Sequence, residues 1–143
     1  MERRRSGAFP FELAYRLVHM YSLQGDVVLD PFSGTGTTVF AAMAGARSSI
    51  GVDLDPTLNA AAFERALGAK TSLNDHTLRR LLKHKTFAEE RQEREGIMKH
   101  RNIHYDFPVV TGQEKDLLLP LIRGIFATGK DGEIGVTYDS EEK

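Results

Sequence analysis

Two carboxylates with a glycine bend between them are the residues of this sequence best placed to do chemistry. The stretch Asp30-Pro31-Phe32-Ser33-Gly34-Thr35-Gly36-Thr37-Thr38 sets an acid, two glycines and a run of hydroxyls ahead of a small-residue apolar segment. Glycine lets the backbone turn sharply and approach a ligand with no Cβ in the way. A helix that starts after such a bend leaves N–H groups ready to receive an anionic group. A second acid, Asp53, closes the next apolar run, Ser49-Ile50-Gly51-Val52. A carboxylate at that position can accept two hydrogen bonds from a ribose diol.

Three ligands suit this arrangement to different degrees. A dinucleotide calls for Gly-x-Gly-x-x-Gly, and Val39 stands where the third glycine belongs. A mononucleotide phosphate loop calls for Gly-Lys-Ser/Thr, and the loop has no lysine. S-adenosylmethionine has no phosphate and offers an ammonium and a carboxylate at one end and a ribose at the other. Asp30 near the ammonium, the Thr37 and Thr38 hydroxyls near the carboxylate and Asp53 on the ribose match it. The bland alternative is a glycine turn without a ligand, with Asp53 capping the next helix. Asp55, directly before Pro56, is the better-placed cap and leaves Asp53 free.

The elements that must position these residues follow from spacing. Residues 10–21 read as a helix with Leu13, Leu17, Val18 and Tyr21 on one face. Residues 27–29 read as a buried strand, 31–38 as the loop and 38–46 as a helix stopped near Gly45. Residues 49–53 read as a second strand, and 55–67 as a helix stopped by Gly68. Strand, helix, strand, helix at this spacing makes a βαβ unit, so the fold class is α/β with a parallel sheet. Residues 1–70 form this half-domain, and 71–143 an extension of another character. In the extension, 73–101 is charged and helix-prone, with Leu78, Leu81, Leu82 and Phe87 as its apolar positions. Residues 103–111 are expected as an edge strand because of Pro108. A helix broken at Pro120 is expected over 113–126, then a last strand over 132–138 and a fraying polar tail.

Composition narrows the partners. The 143 residues are 41% hydrophobic and 27% charged with net charge −1, so no overall positive field draws the chain to nucleic acid. Phosphate contacts would have to come from local clusters, Arg3 to Arg5 or Arg79, Arg80, Lys83, His84 and Lys85. Glu89, Glu90, Glu93 and Glu95 follow the second cluster, which suits a solvated helix face with internal ion pairs. With no cysteine, disulfides and thiolate metal sites are excluded. His76, His84, His100 and His104 make no metal pattern, although His100 and His104 could share a helix face, and no metal is expected. The longest apolar run, 39–46, is too short to span a bilayer. No apolar signal core follows the basic start, so a soluble, cytoplasmic protein is expected.

The segments Phe9-Pro10-Phe11-Glu12-Leu13-Ala14, Arg16-Leu17, Met20-Tyr21-Ser22, Gly25 to Thr38 and Ile50-Gly51-Val52-Asp53 resemble the DNA amino-methyltransferases. These enzymes modify the exocyclic nitrogen of cytosine or adenine. The match covers residues 6–56 and is specific, since the three motifs occur in order at family spacing. It implies a Rossmann-like S-adenosylmethionine-dependent methyltransferase fold, DNA as the partner and a place in DNA methylation of the restriction-modification type. It implies cofactor contacts from the Phe-Pro helix (Phe9, Pro10, Phe11) and the loop (Asp30, Pro31, Phe32, Gly34, Gly36, Thr37, Thr38), and from Asp53. Tyr105 to Thr111 with Glu114 more faintly resembles C-terminal segments of some cytosine N4 enzymes.

The departure is as informative. The family's catalytic Asp/Asn/Ser-Pro-Pro-aromatic tetrapeptide holds the target amine and stacks on a flipped base. No Pro-Pro occurs in this chain; Asp106-Phe107-Pro108-Val109 is the nearest approach. No catalytic residue is therefore assigned. In the permuted subset of the family the tetrapeptide lies upstream, so the chain reads as the C-terminal half of such an enzyme. It would be a split subunit, a fragment or a decayed gene, and a second polypeptide or self-association would complete the sheet. A non-catalytic cofactor-binding or regulatory module is one alternative. An RNA methyltransferase fragment is another, but those enzymes place the tetrapeptide downstream, where nothing suitable follows.

Overall fold

Pro10 stands in extended backbone as the N-cap of α1 (Phe11–Tyr21), where its missing N–H is no loss. In the computed structural model, which describes residues 9–139, α1 buries Ala14, Tyr15 and Val18. Leu13, Leu17 and Tyr21, expected on the buried face, are instead exposed. The face that packs is set by Tyr15, the bulkiest side chain of the helix that is fully enclosed.

Gly25, at φ +85°, turns the chain into β1 (Val27–Asp30). A loop leads to α2 (Thr37–Ala44), and β2 (Ser48–Gly51) then runs parallel to β1, pairing Val27 with Ser48 and Asp30 with Gly51. This is the expected βαβ unit. Ala41, Ala42 and Ala44 are buried, and their small side chains let α1 pack close against α2. Asp55 caps α3 (Pro56–Leu67), accepting from the Thr57 N–H at 3.0 Å, and Gly68 ends it. Helix starts and stops written in Pro56, Gly45 and Gly68 are thus used as read.

The next helix, α4 (Lys70–Glu95), begins in one packing unit and continues into another. The first unit comprises the described residues up to Asn74 and from Pro120 onward; the second is Asp75–Leu119. The boundary expected at 70–71 falls inside α4, and the chain returns to the first unit at Pro120.

The second unit is built on the remainder of α4 with Ala88, Phe107 and Val109 as its core. The helix stops at Glu95, short of the expected 101, before Gly96 at φ +93°. In place of one strand over 103–111 there are two short ones, β3 (His100–Arg101) and β4 (Pro108–Val109), paired antiparallel. Between them Asn102, buried, donates to the Glu114 and Leu117 carbonyls and accepts from the His104 and Tyr105 amides. These bonds fold the segment back on itself, which a single strand would not allow.

The helix expected over 113–126 is absent. A 3-10 turn (Gly112–Glu114) is followed by β5 (Ile122–Ala127), which pairs antiparallel with β6 (Ile134–Tyr138). Pro120 and Gly124 disfavour a helix. Asn74 in α4 latches the strand from outside: its amide donates to the Ile122 carbonyl and its oxygen accepts the Ile122 N–H, both at 2.9 Å. The β5–β6 hairpin joins the core of the first unit, made by Tyr15, Val18, Phe40, Met43, Ala66, Leu73 and Ile122. The end of the polar tail lies outside the described residues, as do Arg3 to Arg5.

Among the described residues, one face of the β1–β2 pair is bare. Val28 packs on the core, while Val27 and Leu29 on β1 are 64% and 63% exposed, with Ile50 and Val52 also exposed. Parallel strands are ordinarily covered on both faces. Among the described residues no helix is long and apolar enough to cross a membrane.

Candidate functional site

The parallel register brings both acids to the same end of the sheet. Asp30 ends β1 opposite Gly51, and Asp53 follows β2 by two residues. The loop between β1 and α2 lies between them and is fixed at several points. The Ser33 N–H donates to the Val52 carbonyl at 2.9 Å, and the Gly36 N–H to the Ser33 carbonyl at 2.8 Å. The Gly34 N–H donates to Asp53 Oδ2 at 2.9 Å, while Asp53 Oδ1 accepts from the Asp55 N–H at 2.9 Å. Asp53 therefore holds the loop in place, a role its spacing alone does not reveal. Two carboxylate oxygens offer about four acceptor sites, so two remain for a ligand.

Asp30 is half-buried and accepts from the Phe32 N–H at 3.0 Å. Pro31 is exposed, and Phe32, 86% exposed, projects from the loop. Gly36 adopts φ +82° as N-cap of α2, and no side chain caps that helix. Its first amides are thus left for a ligand beside the half-buried Thr37 and Thr38. A Cβ on Gly36 would lie 3.1 Å from Ala62 Cβ and 3.5 Å from the Phe40 ring, so glycine is needed for space as well as conformation. A depression of about 520 Å³ opens here, lined by Phe32, Asp53, Leu54, Asp55 and Pro56. A larger cavity of about 640 Å³ flanks β2 and touches the loop at Ser33 and Gly36, but includes neither Asp30 nor Asp53.

The structure thus brings Asp30, Pro31, Phe32, Gly34, Gly36, Thr37, Thr38 and Asp53 together around one loop. The Phe-Pro helix is less clear-cut. Phe9 and Pro10 are exposed, whereas Phe11 packs against the core with its ring 5.8 Å from Tyr15, and none of the three lines either cavity. Three residues of α3 were missed. Asn59 donates to the Asp53 carbonyl at 3.0 Å, Ala62 abuts Gly36, and Arg65 donates to the Thr35 carbonyl at 3.2 Å. Their three-residue spacing on a helix that starts just past the second acid was the available signal.

Other candidates separate from this centre. Phe107, Pro108 and Val109 are buried, so the nearest approach to the missing tetrapeptide serves as core and offers no ring to a base. In the basic cluster Arg79, Arg80, Lys83 and Lys85 are exposed, but His84 turns inward, its ring edge-on to Phe107 at 5.8 Å. Lys85–Glu89 and Arg91–Glu95 pair along the helix at 3.8 and 2.8 Å. His100 lies on β3 and His104 in a turn, so they share no helix face, and no group of potential metal ligands occurs among the described residues.

Burial shifts two groups near the sheet. Desolvation pushes the Arg47 guanidinium below its ordinary value, opposed by Tyr15 and Asp26; Arg47 donates to the Ser22 and Gly45 carbonyls. Burial pushes the Tyr138 phenol up to about 12, and its hydroxyl donates to the Met43 carbonyl at 2.8 Å.

A glycine loop opening a helix inside a βαβ unit, with one acid ending the first strand and another just past the second, places the chain among α/β proteins. The chain matches the DNA methylase family over residues 3–64. It is 43% identical over 117 residues to the type II methyltransferase M.MthZI of Methanothermobacter thermautotrophicus, covering 82% of this chain and 32% of that protein. It is 49% identical over 67 residues to M.MjaI of Methanocaldococcus jannaschii, covering 47% of this chain and 22% of that one. A putative DNA modification methylase of Thermus thermophilus, crystallised with S-adenosyl-L-methionine, is 58% identical over 40% of this chain and 24% of its own, with a TM-score of 0.39. The chain spans about a third or less of the length of these proteins.

Proposed function

We propose that the chain is the cofactor-binding part of a site-specific DNA methyltransferase with a Rossmann-like fold. It would bind S-adenosylmethionine and serve methyl transfer to an exocyclic amino group of cytosine or adenine. The observation behind this reading is the loop from Asp30 to Thr38, preformed between two parallel strands and tied by its Gly34 amide to Asp53. The residues fit the cofactor. The first turn of α2 is uncapped, and Asp53 keeps acceptor sites for a ribose diol. Phe32, Asp53 and Leu54 line the depression in which the nucleoside would lie.

When bound, the cofactor supplies a methyl group on a sulfonium, open to in-line attack by an amine. In this chain Asp30 orients the donor's ammonium, the α2 amides with Thr37 and Thr38 receive its carboxylate, and Asp53 fixes the ribose. Pro31, Phe32 and Gly34 shape the loop around it, and Phe9, Pro10 and Phe11 back its methionine end. Placing the amine is a separate task on which direct transfer depends. That task falls to a partner polypeptide carrying the Pro-Pro tetrapeptide, seated on the apolar face formed by Val27, Leu29, Ile50 and Val52.

Co-expression with such a partner, read as protection of host DNA from methylation-sensitive cleavage, tests this. Protection is expected from the pair and from neither chain alone. Leu29→Glu, at an exposed position, should leave the fold intact but remove protection. Protection that survives Leu29→Glu, or failure with every tetrapeptide-bearing homologue, would contradict the partner reading.

A further inference from the structure

Three residues spaced by three along α3 touch the loop and the acid that anchors it. Asn59 Nδ2 donates to the Asp53 carbonyl at 3.0 Å, which steadies the acid that in turn holds the Gly34 amide. Ala62 Cβ sits where a Cβ on Gly36 would come within 3.1 Å, so α3 lies hard against the left-handed residue that opens α2. Arg65 Nη1 donates to the Thr35 carbonyl at 3.2 Å while its guanidinium lies over the Phe40 ring, 5.1 Å from the centroid. Spacing of three keeps these side chains along one strip of the helix.

We propose that this strip is a clamp that sets the loop in its ligand-binding conformation before any ligand arrives, with Asn59 and Arg65 as positioning residues. The claim rests on the cofactor reading above for its purpose but not for its geometry. Each contact falls on a different part of the bend: the acid that ties Gly34, the Thr35 carbonyl, and Gly36 itself. A loop whose donors are fixed in advance loses less conformational freedom when a ligand orders it. Arg65 does more than neutralise charge. Its flat guanidinium lies on a ring and donates in its own plane at the same time, a fixed geometry that the flexible point charge of a lysine does not reproduce. The cation also sits next to the start of α2, so it adds to the positive potential met by an anionic group there.

Two readouts on the full chain test the clamp. In the unliganded protein, amide hydrogen exchange at Gly34 and Gly36 should speed up about tenfold in Arg65→Ala, the loss of one hydrogen bond's protection. Amides of β1 should keep their rates. Arg65→Lys should recover less than half of the effect, and Asn59→Ala should loosen Gly34 more than Gly36. By calorimetry with S-adenosylhomocysteine, Arg65→Ala should bind about five- to tenfold more weakly than wild type. Wild-type exchange at both glycines in Arg65→Ala would overturn the clamp, whatever the ligand does. Faster exchange together with no binding by any form, wild type included, would leave the clamp standing and refute the cofactor reading. Full rescue by Arg65→Lys would reduce Arg65 to a simple charge and overturn its positioning role.

Discussion

Asp53 shows how one residue can answer to two demands. Its place at the end of an apolar run marks it as a ligand acid, and the structure also uses both its oxygens to hold backbone, at Gly34 and Asp55. The first role, a proposal, was read from residue type and strand position. The second was not, since it needs a contact across nineteen residues. Gly36 and Gly25 separate conformation from function in a similar way. Both have positive φ, +82° and +85°, but a Cβ on Gly25 would meet nothing within 4 Å while one on Gly36 would press on Ala62 and Phe40. Gly25→Ala should cost roughly 1 kcal/mol, the left-handed strain alone. Gly36→Ala should cost roughly 2 kcal/mol or more, because α3 must also shift. Chemical denaturation measures both, and only Gly36→Ala should weaken binding of S-adenosylhomocysteine.

At the scale of elements, local signals were read well where they act locally. Asp55-Pro56 starts α3 and Gly68 stops it because capping is a matter of adjacent residues. The β5–β6 hairpin shows where such reading runs out. Apolar residues between Leu117 and Ile125 suit a helix in isolation, but pairing with Ile134–Tyr138 and the latch from Asn74 make a strand of them. The paired strand follows within a few residues, but Asn74 lies 48 residues from Ile122, so no local window of sequence contains the latch. The hairpin is held to α2 by Tyr138, whose hydroxyl donates to the Met43 carbonyl. Burial raises this phenol from 10.0 to about 12, so the folded state favours the neutral form. Its contribution is present in full below pH 10 and is lost as the pH rises through about 12. Tyr138→Phe should lower stability by about 1 kcal/mol at neutral pH. It should also flatten the alkaline loss of stability between pH 10 and 12, as followed by denaturation at a series of pH values.

At the scale of the molecule, the first unit holds the loop, both acids and the clamp, and its described residues leave one face of a two-stranded parallel sheet uncovered. The second unit has a core of its own around Ala88, Phe107 and Val109. The resemblance in residues 6–56 pointed to the first unit because its motifs are short and contiguous. It said little about the second, whose small core is assembled by Asn102 and by residues with no motif. The chain matches relatives about two to two and a half times its length. Every part of this account depends on the loop and Asp53 gripping a methyl donor. Calorimetry with S-adenosylhomocysteine on wild type and Asp53→Ala measures that grip directly. The account predicts binding by the wild type and a loss of roughly thirtyfold or more in the variant, the worth of hydrogen bonds to a charged acceptor. Equal affinity for both, or no binding by the wild type, would contradict it.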